Sequence, residues 1–274
     1  MLVRALYSPA VVRELLGRYS LQADKALGQN FLIDGNILKQ IVAAAELAPS
    51  DTVLEIGPGL GVLTRELAAR AQQVIAVELD RRLLPALAET LAGLSNVTVV
   101  HGDGLKYDLT QLPVAGVLAA NLPYNVATPL VARALASGRF KRLVFLVQKE
   151  VAQRMVAAPG SEAYGALSLI VAHFATAKIV RDVPPGAFWP PPEVTSSLVR
   201  LAVRPHVAPD PELFALIHDG FRHRRKTLKK NLLLAGYLPE RVARALSALG
   251  LDERIRAEAL GLAQFEQLRA ALTG

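Results

Sequence analysis

Four short stretches of this chain hold residues able to do chemistry. Glu55-Ile56-Gly57-Pro58-Gly59-Leu60-Gly61 is a glycine-rich loop, and glycines let a ligand approach the backbone closely. Its spacing is GxGxG, not the GxGxxG of dinucleotide folds. Glu78, in Glu78-Leu79-Asp80, is an acid able to accept both hydroxyls of a ribose, whereas Asp80 reads as a helix N-cap. Asp103, in His101-Gly102-Asp103, can accept from an adenine amino group or serve as a turn aspartate. Asn121-Leu122-Pro123-Tyr124 offers an amide oxygen, backbone carbonyls and a flat ring, a set suited to holding a planar base by its amino group. An ordinary strand-to-turn exit is the other reading of that tetrapeptide.

Each stretch follows an apolar run of strand character, at 52–55, 74–77, 97–100 and 117–120. Helical patterns separate several of these runs, at 63–71 and 81–91, and continue at 128–137 before a fifth strand at 143–147. Such alternation predicts a parallel sheet with right-handed crossovers. All strands of a parallel sheet end on one edge, so the four polar groups converge there. Two acids without a GK[ST] signature suit an uncharged or cationic nucleoside better than a triphosphate.

Around this centre, Ser8-Pro9 opens a first helix with a stripe at Val11, Val12, Leu15 and Leu16. Residues 21–32, LQADKALGQNFL, lose periodicity and read as a loop, and Asp34 caps the next helix. A helix at 163–173 precedes two strands, 178–183 and 197–203, which flank PPGAFWPPPEVTS. After Arg204-Pro205 the pattern changes to short helices with turns near Gly236, Gly250 and Gly261. The expected division is 1–204 and 205–274.

The 274 residues are 52% hydrophobic and 20% charged, so a packed core is expected. No cysteine is present, which removes disulfides and thiolate metal sites, and the five histidines lack ligand spacing. No metal site is expected. The N-terminus lacks the apolar core of a signal peptide, and no run of about 18 apolar residues occurs. A cytoplasmic protein without a membrane segment is expected. The net charge of +7 suggests a polyanionic partner. Much of the C-terminal basicity lies in residues 221–230, where no acid occurs. Read as one amphipathic helix, this segment seats Ile217, Phe221, Leu228 and Leu232 on one face. Arg222, Arg225, Lys226 and Lys229 then form an outer stripe for phosphate contacts.

EIGPGLG, VELD, GD and NLPY, in this order and on these strands, resemble the S-adenosylmethionine-dependent methyltransferases. Gln29-Asn30-Phe31-Leu32 and the segment from Phe188 to Ser196 narrow the resemblance to the rRNA adenine N6-dimethyltransferases. The basic segment from Phe221 to Leu232 is similar to the KsgA group, which acts on small-subunit (16S) rRNA. The resemblance implies an α/β, Rossmann-like class I methyltransferase sheet with helices on both faces, plus a small all-α C-terminal domain. It implies S-adenosylmethionine as cofactor, held at Asn30, Leu32, Gly57, Gly59, Glu78, Asp103 and Asn121. It also implies N6,N6-dimethylation of two adjacent adenosines near the 3′ end of 16S rRNA by a monomer working on the small ribosomal subunit.

Adenine N6 is a poor nucleophile because its lone pair is delocalised into the ring. Two acceptors out of the ring plane favour a tetrahedral nitrogen, and the Asn121 side-chain oxygen and Leu122 carbonyl are the candidates. Pro123 fixes the turn. Tyr124 is expected to stack on one face of the base and Phe188 on the other, each worth roughly 1–3 kcal/mol. A base held between rings has left its helix stack. Catalysis then rests on orientation, which can supply roughly 7–11 kcal/mol. Three other readings remain open from the residues. One is an Erm-type enzyme acting on large-subunit rRNA. A DNA adenine methyltransferase fits less well, since its acidic DPPY-like motif is NLPY here. The third is a non-catalytic ribosome-assembly or nucleic-acid-binding factor on the same scaffold.

Overall fold

The computed structural model describes residues 6–24 and 26–273. The first residues of the N-terminal stretch, read above as lacking a signal peptide's apolar core, and Lys25 of the 21–32 loop lie outside the described residues. The chain forms two compact units. One holds the residues up to Ala152 together with Thr176–His206, the other Gln153–Ala175 with Val207 onward.

The first unit is built on a seven-stranded sheet. Its strands are β2 (Thr52–Ile56), β3 (Gln73–Glu78), β4 (Val97–His101), β5 (Gly116–Asn121), β6 (Phe140–Gln148), β7 (Ala175–Val183) and β9 (Ser196–Val203), in the order β4-β3-β2-β5-β6-β9-β7. The five strands β4 to β6 run parallel, as alternation predicts, but β9 is antiparallel to β6. The sheet is therefore mixed. A separate pair, β1 (Phe31–Leu32) and β8 (Phe188–Trp189), runs antiparallel. The expected 21–32 loop thus ends in a strand two residues long.

Helices α1 (Pro9–Arg18), α2 (Gly35–Ala45), α3 (Val62–Ala68), α4 (Leu84–Thr90) and α5 (Ala127–Ala136) belong to this unit. Val53, Val117 and Ala119 form one core cluster with side chains of α2 and α3. The alternate residues Leu54, Leu118 and Ala120 are equally buried, so the sheet is covered on both faces. Two-sided burial explains why these strands read as unbroken apolar runs. Asp34 caps α2, accepting from the N–H groups of Asn36 and Ile37 at 2.8 and 3.1 Å. The helix expected over 81–91 starts as a 3₁₀ turn, Arg81–Leu83, because Asp80 caps it and Pro85 sits near the start of α4.

Sheet order sets the site. The chain moves from β2 to β3 and β4 on one side, then returns to place β5 on the other. The crevice beyond the carboxyl ends of β2 and β5 is therefore a topological switch point, where open α/β sheets bind ligands.

Helix α6 (Lys149–Val156) leads into the second unit, which contains α7 (Ala166–Phe174), α8 (Pro211–Phe221), α9 (Leu228–Leu234), α10 (Pro239–Ala248) and α11 (Leu262–Thr273). Residues 153–175 were expected within the 1–204 domain but pack with these helices. Tyr164 joins their apolar core and donates to the Leu260 carbonyl at 2.7 Å.

The single basic helix expected across 217–232 is not formed. It is two helices, α8 and α9, with an exposed turn at 222–226. Asn231, 1% exposed, donates to the Gly220 and His223 carbonyls at 2.7 and 3.2 Å and so closes the end of α8. The Thr227 hydroxyl accepts from Lys230 N–H at 3.2 Å and starts α9. A side chain at Gly220 would press on Leu228 and Phe265, at 3.2 and 3.3 Å, so the two helices meet closely there. Adjacent like charges also disfavour a continuous helix. The apolar expectation survives the break, with Ile217, Leu228 and Leu232 buried and Phe221 packed against their cluster.

Candidate active site

A pocket opens at the carboxyl edge of the sheet, inside the first unit. The glycine loop, Glu78, Asp103 and the Asn121–Tyr124 stretch all line it, as do Leu27 to Leu32 of the N-terminal segment. The four strand ends converge as expected.

At the end of β2, Gly57, Gly59 and Gly61 have φ of 71°, 60° and 79°, left-handed values that other residues adopt at a cost. The Gly57 N–H donates to the Val77 carbonyl at 2.9 Å, which carries the β2–β3 pairing one step into the loop. Glu78, at the end of β3, is 5% exposed. Its Oε1 accepts from Asp80 N–H at 2.8 Å and its Oε2 from Gly59 N–H at 3.1 Å. Burial pushes this carboxyl up in pKa, against the pull of the backbone donors. Asp80 is the N-cap expected, accepting from Arg82 N–H at 3.0 Å.

Asp103 plays the turn role with one oxygen, Oδ1, which accepts from Leu105 N–H at 2.8 Å. Its Oδ2 is the atom available to a ligand. Asn121 closes β5, the first residue of that strand not fully buried. Its Nδ2 donates to the Asn30 carbonyl at 2.8 Å. A carbonyl can only accept, so this contact fixes the amide nitrogen on Asn30 and turns Oδ1 to the other side. Asn30 itself donates to the Gly28 carbonyl at 3.1 Å. Leu122 is 1% exposed, and the Pro123 carbonyl accepts from Val126 N–H at 3.2 Å, which holds the turn. The Tyr124 hydroxyl shares a 2.5 Å hydrogen bond with Ser196 Oγ at the start of β9.

Phe188 departs from expectation. It is 1% exposed and belongs to the apolar core under α2 and α3, not to the pocket lining. Pairing of β8 with β1 places it opposite Leu32 and draws the ring inward. In this structure it offers no stacking face. Its neighbour Trp189 is 37% exposed, with the Arg13 guanidinium 5.6 Å from the ring centre.

The sequence reading missed Glu55. This carboxyl group is 1% exposed, lines the pocket, and its Oε2 has no hydrogen-bond partner among the described residues. Burial, with Glu78 nearby, pushes its pKa up to about 8. An acid inside an otherwise apolar strand, directly before the glycine loop, was the available signal. Gln29, quoted only within its motif, was missed as well, and its amide donates to Asp80 Oδ2 at 2.8 Å.

In the second unit, Arg222, Arg225 and Lys226 lie exposed in the α8–α9 turn. Lys229 is half-buried and paired with Glu253 at 2.7 Å, so an acid distant in sequence enters the basic segment. Among the described residues no helix is long and apolar enough to cross a membrane.

The family model for ribosomal RNA adenine dimethylases matches residues 20–273. The chain is 51% identical over 268 residues to the ribosomal RNA small subunit methyltransferase A of Deinococcus radiodurans, covering 97% of this chain and 91% of that one. Its fold is similar to the crystal structure of a dimethyladenosine transferase from Plasmodium falciparum. The TM-score there is 0.76 at 31% identity, over 87% of this chain and 95% of that one. It is also similar to the 23S rRNA methyltransferase ErmE, with a TM-score of 0.70 at 28% identity, over 89% of this chain and 100% of that one. The chain thus belongs to the ribosomal RNA adenine dimethylase family, and its methyl donor is S-adenosylmethionine.

Proposed function

We propose that this enzyme dimethylates N6 of two adjacent adenosines near the 3′ end of 16S rRNA, as a cytoplasmic monomer acting during small-subunit biogenesis. The observation that carries the reading is the fixed Asn121 amide. With Nδ2 committed to Asn30, Oδ1 is a pre-set acceptor for an amino hydrogen.

The residues fit the cofactor. Glu78 presents a carboxylate oriented by two backbone donors to the ribose hydroxyls, and Asp103 Oδ2 accepts from the adenine amino group. Glu78, with the partnerless Oε2 of Glu55 as a further acceptor, suits an uncharged or cationic nucleoside. Gly57 and Gly59 allow close backbone approach, while Asn30 and Leu32 cover the pocket from the N-terminal side. S-adenosylmethionine held there would supply a methyl group from its sulfonium, leaving a neutral thioether as the product.

The protein's part is placement. Asn121 Oδ1 and the Leu122 carbonyl accept hydrogen bonds from the two N6 hydrogens in the first round and from the one that remains in the second, drawing the nitrogen toward a tetrahedral shape, and the proton displaced by each methyl leaves to solvent. Pro123 holds the turn that carries them. Tyr124, tethered to Ser196, stacks on the base. Orienting amine and methyl for in-line attack supplies roughly 7–11 kcal/mol of the barrier reduction. Arg222, Arg225, Lys226 and Lys229 supply phosphate contacts from the helical unit.

The 51% identity to a small-subunit enzyme, against 28% to ErmE, supports the substrate choice. The test is methyl transfer from labelled S-adenosylmethionine to purified small subunits, large subunits, naked rRNA and DNA. Label in small subunits is expected. Label only in large subunits would point to the Erm-type activity, and tight subunit binding without label would point to a binding factor.

A further inference from the structure

Asp24, Gln29 and Asn30 are tied into the sheet edge by polar contacts, those of Asp24 and Gln29 closing a ring. The Gln29 side chain uses both ends of its amide. Oε1 accepts from Asp24 N–H at 2.8 Å, and Nε2 donates to Asp80 Oδ2 at 2.8 Å. Arg82 grips both oxygens of Asp80, through Nε and Nη2 at 2.8 Å each, and also reaches Asp24 at 3.1 Å. Asp80, 6% exposed, in turn donates its N–H to Glu78 Oε1 at 2.8 Å. One residue beyond Gln29, the Asn30 carbonyl accepts from Asn121 at 2.8 Å. Residues 29 and 30 therefore touch the ends of β3 and β5, two strands that β2 separates in the sheet.

We propose that Gln29 is a positioning residue, linked to Asp80, that couples the cofactor's ribose acid Glu78 to the orientation of Asn121. This inference rests on the methyltransferase reading above. Only a side chain that both donates and accepts serves here. Leucine does neither, and glutamate would set a carboxylate against Asp80. The Arg82 guanidinium, bonded to Asp80, holds that carboxyl below its usual range, so it stays an acceptor. Glu78, Asp80, Gln29, Asn30 and Asn121 thus form a continuous path. Occupation of the ribose site steadies Glu78, and through this path it steadies the acceptor that receives the adenine.

The test compares Gln29→Leu, Gln29→Glu and the exchange pair Gln29→Glu/Asp80→Asn in the full chain. Readouts are S-adenosylmethionine affinity by calorimetry, kcat on small subunits at saturating cofactor, and hydrogen exchange of residues 24–32. Each single variant is expected to bind cofactor about tenfold more weakly and to lose kcat by a similar factor, the scale of one hydrogen bond to a charged group. Exchange should rise in 24–32 while the melting temperature moves little. The exchange pair restores a donor facing an acceptor between residues 29 and 80 but turns the introduced amide nitrogen at position 80 toward Arg82 Nη2, so it should recover only part of each loss. Wild-type cofactor affinity and kinetics in Gln29→Leu would overturn the proposal. Failure of the wild-type protein to bind S-adenosylmethionine would instead overturn the function beneath it.

Discussion

The side-chain nitrogen of Asn121 lies 2.8 Å from the backbone carbonyl of Asn30, a contact made across 91 residues. It joins the end of β5 to the segment covering the cofactor pocket, and it decides which end of the amide can serve as acceptor.

Glu55 makes stability depend on pH in an unusual direction. Its folded pKa of about 8 lies above the ordinary 4.5. Between those values the native state holds a proton that the unfolded chain has released, so stability falls as pH rises and levels off above about 8. Glu55→Gln carries no such proton. Urea midpoints at pH 5.5, 7 and 8.5 should show the variant gaining on wild type as pH rises. Parallel curves would show that Glu55 is ionised in the native state.

The two aromatic expectations separate by experiment. Phe188→Ala should cost about 3–5 kcal/mol of stability, the range for an emptied aromatic site in a core. Tyr124→Ala should leave the fold nearly as stable and weaken RNA-dependent turnover by roughly 1–3 kcal/mol, through lost stacking. Tyr124→Phe keeps the ring, loses only the Ser196 bond, and should stay within about tenfold of wild-type activity. Denaturant melts and kcat/KM on small subunits read both effects. A stable, inactive Phe188→Ala would return Phe188 to the base-stacking role.

Glu78→Ala should lose cofactor affinity while keeping RNA affinity. It removes the acid that faces the ribose but no part of the basic turn. Calorimetry with S-adenosylmethionine checks the first and a filter assay with rRNA the second. Unchanged cofactor affinity would remove Glu78 from the site.

The basic turn predicts a steep loss of RNA affinity with salt. Neutralising Arg222, Arg225 or Lys226 should each lower the slope of log K against log salt by about 0.7–0.9. Lys229→Ala should lower it less, because Glu253 already pairs with that ammonium. Equal slopes for all four variants would show that the Glu253 pair is absent in solution.

The parallel half of the fold was legible because β2, β3 and β5 are largely buried apolar runs with Glu55, Glu78 and Asn121 at or next to their ends. Period and termination both showed in one dimension. Glu78, Asp103 and Asn121 were legible for the same reason, since a parallel sheet delivers every strand end to one edge. What the sequence hid depended on contacts between distant residues. The break at 222–227 is set by Asn231 reaching back to Gly220 and His223, and periodicity carries no trace of that. Phe188 was misplaced because its inward turn comes from pairing β8 with β1, across more than 150 residues. Residues 153–175 read as part of the sheet domain because they lie between its strands in sequence, yet Tyr164 packs with the C-terminal helices.

Asn121→Ala, assayed for labelled methyl transfer to small subunits alongside RNA and S-adenosylmethionine binding, probes the centre of the site. Losing a pre-set acceptor should lower kcat by about 10²–10³ or more with RNA affinity nearly unchanged. Transfer at the wild-type rate would contradict the mechanism.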